Sequence, residues 1–318
     1  MPPLRENGDL ARAARLYFVD GLSQKEVADK MQTTRSNVSR MLTAARERGV
    51  VQIRILDSAG RDHDLEEQLM DQFGLPEAIV ARFEPGSHPA RRAGELAAAW
   101  LVEKLRDGQK ISLSWGTSLQ NLVWAVTADH SVDVEILQLV GGLSSVSNAP
   151  TGQELLRELA LRLGAHYRYL HAPAVLDRPD AVTLLAQEAS IAESLEAARR
   201  SDIALVGIGS FGHGSSEAVV EQMRLSSTEM AAFHAADLAG DICARFFDRQ
   251  GRPYLGAAND RILGIDLEEL RRIPTVMGIA TGREKAPGLA GALNGGHLDV
   301  LCCDVAAARA VLELTRRT

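Results

Sequence analysis

Short apolar runs alternate with helical stretches over most of this chain, and that alternation limits the folds it can adopt. Strands that are apolar along nearly their whole length are covered on both faces, and the connecting helices join them in parallel. The pattern therefore predicts an α/β domain with a mostly parallel sheet. The predicted strands are 78–82, 110–115, 134–140, 167–172, 203–208, 241–247, 261–265, 276–280 and 300–303. The predicted helices are 64–73, 90–106, 118–127, 151–163, 181–198, 226–235, 267–271, 286–293 and 304–316.

The first sixty residues follow another pattern, in which the predicted elements are helices 9–20, 24–31 and 35–48 and a strand at 50–55. Ser23 and Glu26 have the spacing of a capping box, which opens the second helix. Helix, short helix, tight turn, longer helix and strand is the order of a winged helix-turn-helix. The apolar residues expected in its core are Leu10, Ala13, Ala14, Tyr17, Phe18, Val27, Ala28, Met31, Val38, Met41, Leu42 and Ala45.

The third predicted helix carries short polar and basic side chains on the face opposite its apolar one. Such groups can hydrogen-bond to base edges and to phosphates. A capped three-helix bundle with a solvated polar face is the alternative, but the complete arrangement of helices, turn and strand favours DNA binding. The candidate DNA-binding residues are Ser23, Gln24, Thr34, Arg35, Ser36, Asn37, Ser39 and Arg40. Further phosphate contacts near the wing can come from Arg46, Arg48 and Arg54.

The charge of the chain divides at the end of this region. The whole chain has 35 Lys and Arg against 42 Asp and Glu, which gives a net charge of −7. Residues 1–60 have ten against seven, whereas the remainder has 25 against 35. Only the first region is therefore suited to a polyanion such as DNA. The polar stretch 57–64 separates the two, so we expect domains at 1–57 and 58–318.

Composition also predicts the compartment and the absence of a metal site. No apolar run approaches the roughly 20 residues of a membrane-spanning helix, and the N-terminus lacks the apolar core of a secretory signal. The three cysteines, two of them adjacent (Cys302 and Cys303), suit neither a disulfide framework nor a zinc site. We expect a reduced, cytoplasmic protein without metal or cofactor.

In parallel α/β folds, ligands bind beyond the carboxyl ends of the strands, at the N-termini of the helices that follow. The turn Gly116-Thr117-Ser118 lies at such a point. Gly116 lets the backbone approach an anion closely, and free N–H groups with the two hydroxyls can hold a phosphate. An ordinary capped turn is the alternative. No Gly-Lys-Ser/Thr follows, so the turn is not a P-loop for nucleotide hydrolysis.

Four further loops are candidates for the pocket. Gly141 and Gly142 follow the next strand and lead to Gln153, although paired glycines often mark only a turn. The glycine-rich loop 207–214 can cover a pocket but lacks the spacing of a dinucleotide fingerprint. The third candidate is Asp241, an acidic residue that begins a predicted strand. The fourth is Lys285, whose side chain can either meet an anionic ligand or stay in solvent.

These segments together resemble the SorC/DeoR type of sugar-responsive bacterial transcriptional regulators over nearly the whole chain. The N-terminal region is similar to that family's DNA-binding module in LYFVDGLSQKEVADKMQTTRSNVSRMLTAARERGVVQIRI. The rest is similar to its sugar-binding domain in SLSWGTSL, LQLVGGLS, LHAPA, SDIALVGIGSF, GDICARFFDRQGRP, DRILGIDLEELRRIPTVMGIATGREKAPGLAGALNGG and VLCCDVAAA. Each segment is modest alone, but so many in one order make the resemblance specific.

The resemblance implies that the large domain has a fold similar to ribose-5-phosphate isomerases and glucosamine-6-phosphate deaminases, used for sensing instead of turnover. It also implies a phosphorylated sugar as the effector. The Gly116 turn matches the family's phosphate-binding turn, Asp241 matches an acid that holds sugar hydroxyls, and Lys285 matches a lysine near the ligand's anionic end. The candidate effector-binding residues are therefore Gly116, Thr117, Ser118, Gly141, Gly142, Gln153, Asp241 and Lys285.

Three departures from the family pattern bear on the ligand. Trp115 stands where a small residue is often found and narrows the expected site. Thr281 replaces the first glycine of a common pair before the lysine. Leu139 and Val140, just before the glycine pair, are not basic. The last departure argues against a second phosphate subsite and favours a singly phosphorylated or unphosphorylated ligand.

The expected function is that of a DNA-binding transcriptional regulator, a repressor or activator of a carbohydrate-use operon that is controlled by a phosphorylated sugar. Two recognition helices of a homodimer, or of paired dimers in a homotetramer, would read successive major grooves of operator DNA. The alternative is a sugar-phosphate isomerase or deaminase joined to a DNA-binding module. Such an enzyme needs a positioned acid and base, and no His–carboxylate pair or catalytic motif is evident, so we expect no enzymatic activity.

Overall fold

The protein folds into two compact units, residues 1–58 and 59–318. The boundary expected between residues 57 and 58 falls in a segment, 52–59, outside the residues that the structure describes. The structure is a computed structural model, which describes residues 7–51, 60–83, 88–128, 131–143 and 151–315.

The N-terminal unit contains three helices around one apolar core. Its elements are α1 (Asn7–Ala14), a π-helical turn (Arg15–Val19), α2 (Gln24–Lys30) and α3 (Arg35–Glu47). All three predicted helices are therefore present. The side chains buried between them, each expected from helical spacing, are Leu10, Ala13, Ala14, Val27, Ala28, Val38, Met41, Leu42 and Ala45.

The end of the first helix differs from the prediction. Residues Arg15–Val19 form a π-helical turn, in which the Asp20 N–H donates to the Arg15 carbonyl at 3.0 Å. The wider turn changes the angular spacing of the side chains that follow. The predicted burial of Phe18 is therefore wrong, since its side chain is 38% exposed, and Tyr17 is only half-buried.

Helix α3 ends at Glu47, two residues before a glycine with a left-handed backbone. Gly49 has φ of +70°, and the chain at Val50 and Val51 is bent, with the Val51 N–H donating to the Ala45 carbonyl at 3.0 Å. The strand predicted at 50–55 is not present at its first two residues, and the rest of it lies outside the described residues, as does Arg54.

The large unit alternates strands and helices as expected. Its strands are β1 (Glu77–Ala81), β2 (Lys110–Leu113), β3 (Glu135–Gln138), β4 (His166–Arg168), β5 (Ile203–Ser210), β6 (Leu238–Ile242), β7 (Arg245–Asp248), β8 (Thr275–Ala280) and β9 (Val300–Asp304). Its helices are α4 (His63–Phe73), α5 (Pro89–Lys104), α6 (Thr117–Ala125), α7 (Gly152–Leu163), α8 (Pro179–Gln187), α9 (Ala189–Arg199), α10 (Ser215–Met223), α11 (Ser227–Ala235), α12 (Ala257–Asp260), α13 (Leu267–Leu270), α14 (Ala286–Asn294) and α15 (Val305–Thr315).

The predicted mostly parallel α/β sheet is confirmed. Seven parallel strands lie in the order β1-β9-β8-β5-β2-β3-β4, and β6 and β7 form an antiparallel hairpin on the end of β5. Neighbouring residues of one strand enter different cores: Leu205 packs in one cluster and Val206 in the other. A sheet buried on both faces explains why the strands read as continuous apolar runs.

The apolar run 241–247 is a hairpin, not the single strand that was predicted. Its turn is Cys243-Ala244, and both residues have positive φ, 52° and 62°. Turns of this kind are usually recognised by asparagine or glycine, and this one has neither, so the sequence contains no signal for it. The left-handed backbone costs of the order of 1 kcal/mol per residue.

Three other predicted elements are wrong. Residues 261–265 form no strand and make only isolated bridges, such as Val140 with Gly264. The predicted helix 181–198 is divided at Glu188, whose backbone is extended. Finally, the loop expected at 207–214 belongs partly to β5, which continues to Ser210 before α10 begins.

Candidate functional site

The exposed face of the N-terminal unit carries the candidate DNA-binding side chains. Ser23 and Glu26 form the predicted capping box: the Glu26 N–H donates to Ser23 Oγ at 3.3 Å, and the Ser23 N–H donates to Glu26 Oε2 at 2.8 Å. These hydrogen bonds from Ser23 lower the pKa of Glu26. The candidates with exposed side chains are Ser23, Thr34, Arg35, Ser36, Ser39 and Arg40, and those half-buried are Gln24 and Asn37.

Some of these polar groups already have partners inside the unit. Thr34 caps α3 by accepting a hydrogen bond from the Asn37 N–H at 3.3 Å. The Asn37 amide donates to Thr33 Oγ1 at 2.6 Å and so fixes the turn between α2 and α3. Arg40 is extended along the helix surface, with Nη2 3.4 Å from Ser36 Oγ. Arg35 and Arg40 are exposed cations on this face that can meet a phosphate, and Arg46, predicted as a further phosphate contact, is also exposed.

In the large unit, a pocket of about 40 Å³ opens at the carboxyl ends of β2, β5 and β8. It brings together five of the eight candidate effector residues, from three segments distant in sequence. The lining residues are Ser114, Trp115, Gly116, Thr117, Ser118, Gly207, Ile208, Gly209, Asp241, Cys243 and Lys285. This is where ligands bind in parallel α/β folds.

One wall of the pocket is the N-terminus of α6. Gly116 is its N-cap residue and has φ of +121° with ψ of 167°, a conformation that is accessible essentially only to glycine. The first N–H groups of a helix have no partner within it, and no side chain caps those of α6. Thr117, which is exposed, and Ser118, which is half-buried, are the first two residues of this helix, and both line the pocket.

The opposite wall holds the carboxyl group of Asp241, only 6% exposed, on β6. Ser216 Oγ donates to Asp241 Oδ1, and a Cβ atom on Gly209 would lie 1.9 Å from that oxygen. Gly209 is therefore required for β6 to pair closely with β5. Burial raises the pKa of Asp241, and hydrogen bonds from Ser216 and the Ala244 N–H, with the charge of Lys285, partly oppose the rise.

Lys285 supplies the positive charge of the site. It ends a short 3₁₀ turn (Arg283–Lys285) and precedes α14, whose first turn no side chain caps. The turn is fixed by the Gly282 N–H, which donates to Asp304 Oδ1 at 3.0 Å. Lys285 is half-buried, and its ammonium group makes no ion pair within the described part of the chain.

Three predicted effector residues lie outside the lining. Gly141 is packed against Pro173, with room for no side chain, and its carbonyl accepts a hydrogen bond from Trp115 Nε1 at 3.2 Å. Gly142 faces open space. Gln153 is half-buried in the first turn of α7. Gly141 therefore contacts the lining residue Trp115, and the narrowing of the site predicted for Trp115 stays a prediction.

Sequence reasoning missed several lining residues. Gly207 and Gly209 are in β5, although they were expected in a covering loop. Cys243 lines the pocket from the β6–β7 turn, for which the sequence has no signal. Burial raises the pKa of the Cys243 thiol to about 12, so it is neutral at physiological pH and is not a reactive thiolate.

Within the ranges that the structure covers, no group of three or more His, Cys, Asp or Glu side chains has the arrangement of a metal site. In the same ranges, no helix has the length and apolarity needed to cross a membrane.

Residues 57–313 match the family model described as "Putative sugar-binding domain". The chain is 32% identical over 313 residues to the deoxyribonucleoside regulator of Bacillus subtilis (strain 168), covering 97% of this chain and 99% of that protein. It is 28% identical over 316 residues to the transcriptional regulator LsrR of Klebsiella pneumoniae subsp. pneumoniae, covering 98% and 94%. The crystal structure of the full-length sorbitol operon regulator SorC from Klebsiella pneumoniae has a TM-score of 0.73 at 30% identity, covering 96% of this chain and 99% of that one. The chain therefore belongs to the SorC/DeoR-type family of sugar-binding transcriptional regulators.

Proposed function

We propose that this transcriptional regulator binds operator DNA of a carbohydrate-use operon and is controlled by a sugar monophosphate. The proposal is carried by the pocket, where an uncapped helix N-terminus, a lysine and a buried carboxylate converge. The relatives' names, which refer to a deoxyribonucleoside and to a sorbitol operon, support a carbohydrate effector.

The phosphate would bind between α6 and Lys285. Backbone N–H groups at a helix N-terminus point toward an anion there, and the helix dipole favours its negative charge. The hydroxyls of Thr117 and Ser118 add donors, and the Lys285 ammonium group adds a charge-assisted hydrogen bond, which is roughly twice as strong as a neutral one. A neutral sugar would leave these donors without an acceptor of matching charge.

The sugar hydroxyls would bind to Asp241. A carboxylate has about four acceptor sites, so it can accept hydroxyl hydrogens in addition to its bonds from Ser216 and Ala244. A second phosphate has no matching cation at the next strand, because Leu139 and Val140 are apolar and buried. These charges favour an effector with a single phosphate.

The DNA-binding surface would be the exposed face of α3, with Arg35 and Arg40 on phosphates or bases. A homodimer, or a homotetramer of paired dimers, would place two such helices in successive major grooves. Replacing Arg40 by alanine should weaken operator binding and reduce its salt dependence. A gel shift on DNA upstream of the gene measures this, and an unchanged affinity would contradict the assignment. A regulator of this kind would act in the cytoplasm.

Sensing, as opposed to turnover, is favoured by the chemistry of the lining. Isomerases and deaminases of sugar phosphates move protons with a positioned acid and base. No histidine is among the pocket-lining residues, the thiol of Cys243 is neutral, and His213 is exposed. Conversion of a bound aldose phosphate into product would favour the enzyme instead.

A thermal-unfolding screen tests the proposed effector. Ribose 5-phosphate, glucose 6-phosphate and fructose 6-phosphate are each compared with the unphosphorylated sugar. A ligand at 100 times its dissociation constant stabilises the folded state by about 2.7 kcal/mol, so a cognate monophosphate should raise the melting temperature by several degrees. The same increase from the unphosphorylated sugar would contradict the phosphate assignment.

A further inference from the structure

The amide group of Gln138, at the carboxyl end of β3, has an unused hydrogen-bond donor. The residue is only 3% exposed, and its Nε2 atom has no hydrogen-bond partner among the residues that the structure describes. Buried polar groups are nearly always paired, and an unpaired one destabilises the folded state. An unpaired donor near a binding pocket can therefore donate a hydrogen bond to a ligand atom.

The orientation of this amide is fixed by its other atom. Gln138 Oε1 accepts a hydrogen bond from the Leu170 N–H at 2.9 Å. If the amide were flipped, its NH₂ group would face that N–H, and two donors would meet. Nε2 therefore points away from Leu170, toward the start of α7 and the indole of Trp115.

Trp115 is a close neighbour of this amide and also belongs to the pocket lining. A Cβ atom built on Gly152 would lie 3.0 Å from Trp115 Cδ1 and 3.5 Å from Gln138 Nε2, so indole and amide converge on the same point. Trp115 also lines the pocket, and its Nε1 is held by the Gly141 carbonyl. Trp115 is therefore a neighbour of both the pocket and the Gln138 donor.

The pocket has a volume of about 40 Å³, which accommodates roughly three water molecules and suits a phosphate group. The rest of a sugar phosphate needs additional space, either toward solvent or toward Gln138. One hydrogen bond, to the Gly141 carbonyl, fixes the indole N–H, and the half-buried ring packs against both apolar clusters of the large unit. Its displacement would extend the pocket toward Gln138.

We propose that Trp115 covers a second subsite, in which Gln138 Nε2 donates a hydrogen bond to a hydroxyl or carbonyl oxygen at the non-phosphate end of the effector. This inference rests on the proposed function. Gln138 is then a specificity-determining residue: a neutral amide donor suits an uncharged oxygen, so the site selects a monophosphate with a polar, uncharged far end.

Calorimetric titration of the full chain separates the two ends of the site. The titrants are inorganic phosphate, which occupies only the Thr117–Lys285 end, and each of the three sugar monophosphates. The proteins are the wild type, Gln138→Met and Gln138→Glu; the glutamate variant keeps an oxygen for the Leu170 N–H. Both variants should bind the cognate monophosphate about tenfold more weakly, the loss expected for one hydrogen bond, and bind phosphate as the wild type does.

A second readout follows Trp115 directly. In the variant Trp100→Phe/Trp124→Phe, Trp115 is the single tryptophan. The cognate monophosphate should change its acrylamide quenching, whereas inorganic phosphate should not. Equal quenching with and without the monophosphate would overturn the displacement of Trp115.

The outcomes for Gln138 and for the proposed function are distinguishable. If the wild type binds a monophosphate and both Gln138 variants bind it equally well, the Gln138 assignment is overturned and the proposed function stands. If the variants lose phosphate and monophosphate affinity together, the substitution has damaged the whole site and the assignment is also overturned. If the wild type binds none of the three monophosphates, the proposed function fails and this inference fails with it.

Discussion

Two helices begin side by side at the carboxyl edge of the sheet, and their N-termini are built in opposite ways. At α7, Thr151 Oγ1 accepts a hydrogen bond from the Glu154 N–H at 3.2 Å, and the Thr151 N–H donates to Glu154 Oε2 at 2.7 Å. At α6, glycine precedes the helix and no side chain caps it. Helix α7 satisfies N–H groups of its own first turn and adds a negative charge there, whereas α6 leaves its first N–H groups for an external acceptor.

The contrast teaches that a missing cap indicates a site only together with other groups. Helix α5 also begins without a side-chain cap, and it is not at the pocket. What distinguishes α6 is that Lys285 and Asp241 face the same cavity. The cap of α7 stabilises the fold, and the uncapped N-terminus of α6 is available to bind a ligand.

The largest expected effect is at the lysine. Lys285→Met should weaken sugar-monophosphate binding by about 10- to 100-fold, because a hydrogen bond to a charged group contributes about 1.5–3 kcal/mol. Lys110→Met is the matched control, since Lys110 begins β2 at the opposite edge of the sheet. Calorimetry measures both, and equal affinities for the two variants would exclude Lys285 from the phosphate site.

The next effect concerns the backbone at α6. Gly116→Ala should lower the unfolding free energy by about 1–3 kcal/mol, because alanine is strained at φ of +121°. Gly142→Ala, where a Cβ meets open space, should change it far less. Urea unfolding measures the two, and similar values would show that the α6 turn does not depend on glycine.

A crossed pair of threonine variants tests the comparison itself. Thr151→Ala removes a cap and should destabilise the fold by about 1 kcal/mol without changing effector affinity. Thr117→Ala should weaken effector binding about fivefold, the loss of a neutral hydrogen bond, without changing stability. Urea unfolding and calorimetry on both variants give the four values; a stability loss in Thr117→Ala would mean that α6 is capped after all.

The smallest effect is a pH dependence confined to α7. The hydrogen bonds from Thr151 lower the pKa of Glu154, so the folded chain holds this carboxylate ionised at a pH where the unfolded chain is protonated. Its stabilising contribution is present above the ordinary glutamate pKa and is lost as pH falls through the lowered one. The difference in unfolding free energy between wild type and Glu154→Gln should therefore decrease as pH falls through that interval. A constant difference would contradict a charged cap.

Sequence patterns predicted the parts of this molecule whose signals are local. The capping box of Ser23 and Glu26 follows from spacing alone, and continuous apolar runs follow from a sheet covered on both faces. The edge rule for parallel sheets selected the Gly116 turn before any distance was known. The loops of Asp241 and Lys285 were candidates for the same pocket, and the roles of these two side chains toward a ligand were implied by the family resemblance.

Other parts depend on tertiary contacts that no local pattern records. The Cys243-Ala244 turn is held in a left-handed conformation by the pairing of β6 with β7, and the sequence there has no turn residues. Phe18 has apolar character and helical spacing, but the π-helical turn moves it outward. Gln138 looks like an ordinary strand residue, and only the coordinates show that its donor lacks an acceptor in the described part of the chain.

A crystal structure of the protein with its cognate sugar monophosphate would show where the phosphate binds. We predict that the phosphate oxygens lie within hydrogen-bonding distance of the Thr117 and Ser118 N–H groups and of Lys285 Nζ, with sugar hydroxyls on Asp241. A phosphate bound at the N-terminus of α7, or away from the sheet edge, would contradict it.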